Sequence, residues 1–286
     1  MRLEIMAICS HPPVRLATNP EVRQTRPADF IVITMRIPTG NLDSFHSGID
    51  SVFDALARSR DTATLLTSEG VDLELLTEAF RQLVEVMTRV EADSRIEDGS
   101  QTPHRAGGED ITELGEYALK LQENLTSLVK QPGLVDQQDR VAGLTVDLAL
   151  WVAAHGGRLD SIEGLVDALA LIANRTTDPG ELGQLSTAMR RITGAVSPVI
   201  REDLEKINPG RPWRVLLLNR GIVATRSHDP ATMEEAFTFL IRHLPEDAAQ
   251  FFAAGMQQME ALNYPAHVRQ VMEKYHRQWT LTRTLH

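Results

Sequence analysis

The fifteen residues LDSFHSGIDSVFDAL (42–56) decide the fold class. Leu42, Phe45, Ile49, Val52 and Leu56 recur at alternating spacings of three and four, which places them on one stripe of a helix with 3.6 residues per turn. Asn41 supplies the side-chain oxygen of an N-cap. Moving outward, a segment opening at Asp72 repeats the spacing as Leu76, Phe80, Leu83, Met87 and Val90. A third opens at Asp110 with Ile111, Leu114, Ala118, Leu121, Leu125 and Leu128. These are a/d heptad seams, each about 20 residues or ~30 Å long, a length that suits helices lying side by side. They predict a helical bundle or coiled-coil hairpin over 41–130. A flexible linker is expected at 96–109, where Asp98-Gly99-Ser100, Pro103 and Gly107-Gly108 break the pattern.

Pro132-Gly133 ends the third seam, and a domain of stacked helical hairpins is expected over 138–286. Val141, Leu144, Leu148 and Trp151 form a stripe that stops at Gly156-Gly157. Asp160 with Glu163 reads as a capping box for Ile162, Leu165, Leu169 and Ile172. Asp178-Pro179 and Asp229-Pro230 each read as a cap followed by proline in the first turn, and Pro245-Glu246-Asp247 puts carboxylates on a helix's positive end. The expected fold is therefore all-α: an amino-terminal bundle or hairpin with heptad seams, then a solenoid-like stack of αα-hairpins.

Residues 1–40 differ. They hold Pro12, Pro13, Pro20, Pro27 and Pro38, the β-branched run Phe30-Ile31-Val32-Ile33-Thr34, and the alternating Leu3, Ile5, Ala7 and Cys9. An irregular extension or a β-hairpin is expected there. A competing expectation starts translation at Met35 and leaves residues 1–34 outside the native protein; an intact endogenous mass that includes Met1–Thr34 would exclude it.

An internal repeat marks the last third. Gly221 recurs as Gly255 and Pro230 as Pro265, while Leu218 maps to Phe252, Ile222 to Met256 and Phe237 to Met272. The tract 217–245 resembles a tetratricopeptide repeat at Gly221, Phe237 and Pro245. It departs from that pattern at Met233, where a small residue is expected, and the second copy ends in Gln278-Trp279 without a proline. The resemblance implies helix pairs stacked into a peptide-binding groove.

Bulk properties narrow the function. A chain of 286 residues buries enough surface to fold without disulfides or metal. With 29 Lys and Arg against 39 Asp and Glu, the net charge of -10 repels a phosphate backbone, so no nucleic-acid partner is expected. The single cysteine, Cys9, is at home in a reducing compartment, and Glu4 interrupts the only apolar run near the start, so a cytoplasmic location is expected. Asp147 and Asp167 interrupt the most apolar internal stretches, which fall short of the roughly 20 residues of a bilayer span; no membrane association is expected.

Chemistry is sparse. No His-x-x-x-His or Cys-x-x-Cys occurs, and there is no Gly-x-Ser-x-Gly elbow, phosphate-binding loop or dinucleotide fingerprint; no metal, cofactor or catalytic residue is assigned. Arg220, Arg226 and His228 flank a helix start at Asp229, where free N–H groups attract anions. The simpler reading gives Asp229 the cap, gives Arg226 the end of its own helix, and pairs Arg220 with a carboxylate on a neighbouring helix. Tyr264, Tyr275 and Trp279 with Val268, Val271 and Met272 line a pocket or pack as core, with Arg269 on the same segment. His155 is expected to serve its helix's C-terminus, and Trp213 to anchor consecutive helices.

The preferred functional expectation is a non-enzymatic protein-interaction or scaffold protein. Its carboxy-terminal surface binds a protein segment, with Arg220, Arg226, His228, Tyr264 and Arg269 as candidate contacts, and its amino-terminal helices could form a homodimer. The alternative is an all-α enzyme or small-anion-binding protein with a polar site around Arg220, Arg226 and His228.

Overall fold

The computed structural model describes residues 36–58, 72–97, 108–130 and 134–283. The proposed strands at 3–9 and 30–34, Cys9, and residues 98–107 of the linker lie outside them. Eleven helices follow: α1 (Leu42–Arg58), α2 (Leu73–Glu97), α3 (Gly108–Val129), α4 (Val135–Ala154), α5 (Glu163–Arg175), α6 (Pro179–Ala195), α7 (Pro198–Arg201), α8 (Pro212–Arg226), α9 (Pro230–His243), α10 (Pro245–Ala261) and α11 (Ala266–Arg283). Among the described residues there is no strand; Leu159 pairs with Val196 in an isolated bridge. The fold is all-α.

Each seam residue of α1 is buried, as are Leu76, Phe80, Leu83 and Met87 of α2 and Ile111, Ala118, Leu121, Leu125 and Leu128 of α3. The stripes of α1 and α3 converge on α4, which packs against α1, α3, α5 and α6, while α2 packs against α1 and α3. Trp151 at the end of α4 also donates its indole N–H to Glu91 of α2 at 3.1 Å. A second hub, α8, packs against α5, α6 and α9, and α9 carries α10 and α11. A single apolar cluster runs from Ile37 to Tyr275, crossing from the seam helices through α4 into the hairpins.

Helix starts follow their chemistry. Asn41 Oδ1 accepts from Ser44 N at 2.9 Å, Asp178 Oδ1 from Glu181 N at 2.8 Å and Asp229 Oδ2 from Thr232 N at 3.0 Å. Proline occupies the first turn of α6, α7, α8, α9 and α10, where its missing N–H costs nothing. The capping box at Asp160 does not form. Leu159 is held beside Val196 by two backbone hydrogen bonds, Leu159 N to Ala195 O and Ser197 N to Leu159 O, so α5 starts only after Ile162. Glu163 alone supplies half of the motif, its carboxylate accepting from Ile162 N and Ser161 Oγ at 3.1 Å.

The glycines of the repeat fit side chains rather than turns. A Cβ on Gly221 would stand 2.6 Å from Phe251 Cζ, and one on Gly255 would stand 2.6 Å from Met272 Sδ. Gly221 thus receives a rigid ring from α10, whereas Gly255 receives a flexible thioether from α11, so the two copies share helix spacing more than packing.

The entry to α1 is pinned to the first hub. Asp147 Oδ1 accepts from Thr39 N and Gly40 N, both at 2.8 Å. Gly40 has φ +79°, and a Cβ there would lie 2.8 Å from Leu150 Cβ, so only glycine fits the docked turn. Burial raises the Asp147 pKa above its ordinary value, outweighing the two backbone hydrogen bonds and Arg36, which act to lower it. A carboxyl whose pKa is higher folded than unfolded favours the native state most below the ordinary carboxyl range and loses that contribution as pH rises through the raised value. Asp147→Asn keeps an oxygen acceptor, so its stability relative to wild type should improve as pH climbs from about 4 to neutrality. Asp147→Ala orphans both N–H groups and should cost about 1–3 kcal/mol below the ordinary carboxyl range, a cost that shrinks with rising pH in parallel with Asp147→Asn. Urea unfolding of the three proteins across pH checks both; parallel pH curves for wild type and Asp147→Asn would remove the assignment.

Candidate functional site

The residues singled out from the sequence divide among three places. Arg220 is 1% exposed on α8, with Nη2 2.7 Å from Glu235 Oε1 of α9 and its guanidinium carbon 5.1 Å from the Phe239 ring centroid. The Glu235 contact is an ion contact rather than an aligned hydrogen bond, and Nε and Nη1 of Arg220 have no acceptor. Arg226 faces the other way. Its Nη1 donates to Ala173 O at 2.7 Å and its Nη2 to Thr176 O at 2.6 Å, so it closes the C-terminus of α5 and not of its own helix.

His228 and Tyr264 do meet. His228 sits in the left-handed region at φ 58° just past α8, its ring edge-on to Tyr264 at 5.3 Å, and its carbonyl lies 3.0 Å from His267 Nε2. Burial, then His267, lowers the His228 pKa, so the ring stays neutral at physiological pH. Arg269 donates to Met259 O at 3.0 Å and caps α10. Tyr275 packs as core against Phe237 and Phe252, with ring centroids 5.2 and 5.4 Å apart, and Trp213 meets Phe239 and His243 of the next helix. His155 caps α4 through Nδ1 and Trp151 O at 2.8 Å.

The most unusual surface lies between α7 and α8, a stretch without periodic signal in the sequence. Arg211, the residue before α8, forms a bidentate pair with Asp203 through Nε–Oδ1 and through Nη2–Oδ2 at 2.8 Å; both side chains are almost fully buried. The Asp203 hydrogen bond holds the Arg211 pKa above its ordinary value despite burial. Arg211 Nη1 also gathers the carbonyls of Lys206 and Asn208, at 3.3 and 3.2 Å. Arg214 binds both oxygens of Asp247 through Nε and donates to Pro209 O at 2.8 Å. Asp203 takes φ 51° to make the bend.

This bracing presents apolar side chains to solvent. Val199 is 74% exposed, Leu204 80% and Ile207 99%. Exposed carboxylates Glu202 and Glu205 flank them, while Lys206 pairs with Glu246 at 3.4 Å. Large apolar side chains this exposed depart from the usual inside–outside rule.

Among the described residues, no group of three or more His, Cys, Asp or Glu side chains is placed to hold a metal ion, and no helix is long and apolar enough to cross a membrane. No family model, curated protein or solved structure matches the chain, so the tetratricopeptide likeness rests on Gly221, Phe237 and Pro245 alone.

Arg220 has the signature of a structural group, its charge answered by Glu235 and by a ring. Arg220→Met should therefore be neutral or stabilising by about 1 kcal/mol, because it removes buried donors while half-exposed Glu235 returns to water. Glu235→Ala leaves the cation unanswered and should cost roughly 1–3 kcal/mol. Chemical denaturation of both variants checks the pair; a large loss for Arg220→Met would instead make the guanidinium itself the stabilising element.

Proposed function

We propose that the chain is a protein-interaction or scaffold protein, and that the braced loop 202–211 with α7 is its principal contact element. The observation that carries this reading is the combination of a buried Arg211–Asp203 pair with three large apolar side chains held in solvent. Desolvating a guanidinium and a carboxylate is expensive, and a loop with no duty beyond connection does not need that rigidity. A pre-ordered loop loses little entropy on binding, and each of Leu204 and Ile207 contributes roughly 1.5–3 kcal/mol when a partner buries it.

The chemistry of the loop specifies its partner. Its apolar tips fit a hydrophobic pocket, and Glu202 and Glu205 call for a basic rim around that pocket. Acidic flanks on a chain of net charge -10 disfavour an anionic lipid surface, so a protein segment is the occupant. The expected homodimer has separate support at the amino-terminal end: Leu75 and Val86, eleven residues apart, lie on one face of α2 and are exposed.

Leu204→Ser/Ile207→Ser should leave the melting temperature within a few degrees, since neither side chain is buried, and should weaken the partner complex at least about hundredfold. Asp203→Ala, which breaks the brace, should also lower affinity while leaving both apolar residues in place. Affinity capture from native cells, followed by titration of the identified partner, decides the matter. A partner that binds the double-serine variant as tightly as wild type would sink the assignment, and light scattering of the same samples reports whether the chain is dimeric.

A further inference from the structure

A second feature is independent of the braced loop. Helices α3, α4 and α5 enclose an open-sided cavity of about 290 Å³. Its apolar lining is Leu119 from α3, Val141 from α4, and Leu165 and Leu171 from α5. The charged residues that line it, Glu123, Lys130 and Asp167, are all exposed to solvent. Gln122 of α3 lines it as well, and this side chain is anomalous: the residue is 1% exposed, and neither Oε1 nor Nε2 has a hydrogen-bond partner.

Three other polar side chains lining the cavity are engaged. Thr145 Oγ1 donates to Val141 O at 3.0 Å, Ser127 Oγ to Glu123 O at 3.0 Å, and Gln138 Nε2 to Val129 O at 3.2 Å. Gln122 is left holding two donors and an acceptor in an apolar setting, a state that costs more than an isosteric leucine or methionine would. Both amide atoms are closed off from solvent in the observed rotamer, so a ligand in the cavity meets the amide only after a turn of this flexible side chain.

We infer that the α3–α4–α5 cavity binds a small uncharged molecule through an amide edge, an N–H beside a C=O, that pairs with the Gln122 amide in two antiparallel hydrogen bonds. A carboxylate would engage only the Nε2 donors and leave Oε1 unanswered, whereas an amide edge answers both. The volume admits a ligand on the scale of one substituted ring, at the small end of ligand pockets, and the apolar walls bury the rest of its surface. A primary carboxamide, a lactam or a pyrimidinone presents the required edge.

The test uses the full chain and four probes: benzamide and 2-pyridone, which carry the amide edge, and benzoate and toluene, which do not. Titration is followed by amide and side-chain resonances in NMR. The expected result is saturable shifts in α3, α4 and α5 with benzamide or 2-pyridone, including the Gln122 side-chain NH₂, and binding at least about tenfold weaker for benzoate and toluene. Gln122→Leu should reduce amide binding at least about tenfold while raising thermal stability or leaving it unchanged. Leu171→Trp, which fills the cavity from a wall without touching the amide, should block every probe. Toluene binding as well as benzamide would overturn the inference, as would unchanged benzamide binding by Gln122→Leu or the absence of saturable shifts with either amide probe.

Discussion

A helix enclosed on most or all sides must have its polar side chains answered by the elements around it, and α4 and α8 impose that constraint on the rest of the fold. In α4, Val146, Leu148, Ala149, Leu150, Trp151 and Val152 are all buried, and Asp147 lies on the narrow half-exposed strip they leave. Thr145 turns back on its own helix, but Asp147 cannot, and its carboxylate draws the 39–40 turn onto the bundle. In α8, Leu216 to Thr225 are buried without interruption. Its end is tied to α5 by Arg226 and its middle to α9 by Arg220. The apolar stripes choose which helices touch; the polar groups on the two hubs choose how they dock.

That division explains what could be read in advance. The seams of α1, α2 and α3 show their period in the sequence because each helix keeps a wet face, and the contrast between faces is the signal. The proline-led helix starts are equally local, since a cap needs only the next three residues. On α8 the contrast vanishes, and Leu216 to Ala224 reads as a run with Asn219 and Arg220 lodged in it; buried pairing for Arg220 follows from the residue type, but its partner Glu235 lies on another helix. Arg226 was the opposite case. Local logic assigns it to its own helix end, and tertiary proximity gives it to α5.

The two candidate sites were hidden for different physical reasons. Gln122 stands beside the seam residues Leu121 and Leu125, a position that is solvated in an isolated hairpin and becomes buried only when α4 and α5 close over it. Asp203, Leu204, Ile207 and Arg211 lie between helices, where no periodicity exists to mark an unusual residue. A buried Arg–Asp pair eight residues apart outside a helix leaves no spacing signature, because an irregular path can bring any two such residues together.

Sites and structural oddities can be separated by asking whether each departure from the usual inside–outside rule has an answer within the chain. Asp147 is a half-buried carboxylate, but two backbone N–H groups meet it. Arg220 is a buried cation, but Glu235 and the Phe239 ring answer its charge. Arg211 is buried, and Asp203 and two carbonyls surround it. The Gln122 amide and the apolar tips at Leu204 and Ile207 have no such counterpart: the first is polar surface with nothing polar beside it, the second apolar surface with nothing apolar over it. Each could be removed by a single substitution that suits the isolated fold, leucine at 122 or serine at 207, and on the readings proposed above it is a partner outside the chain that retains them.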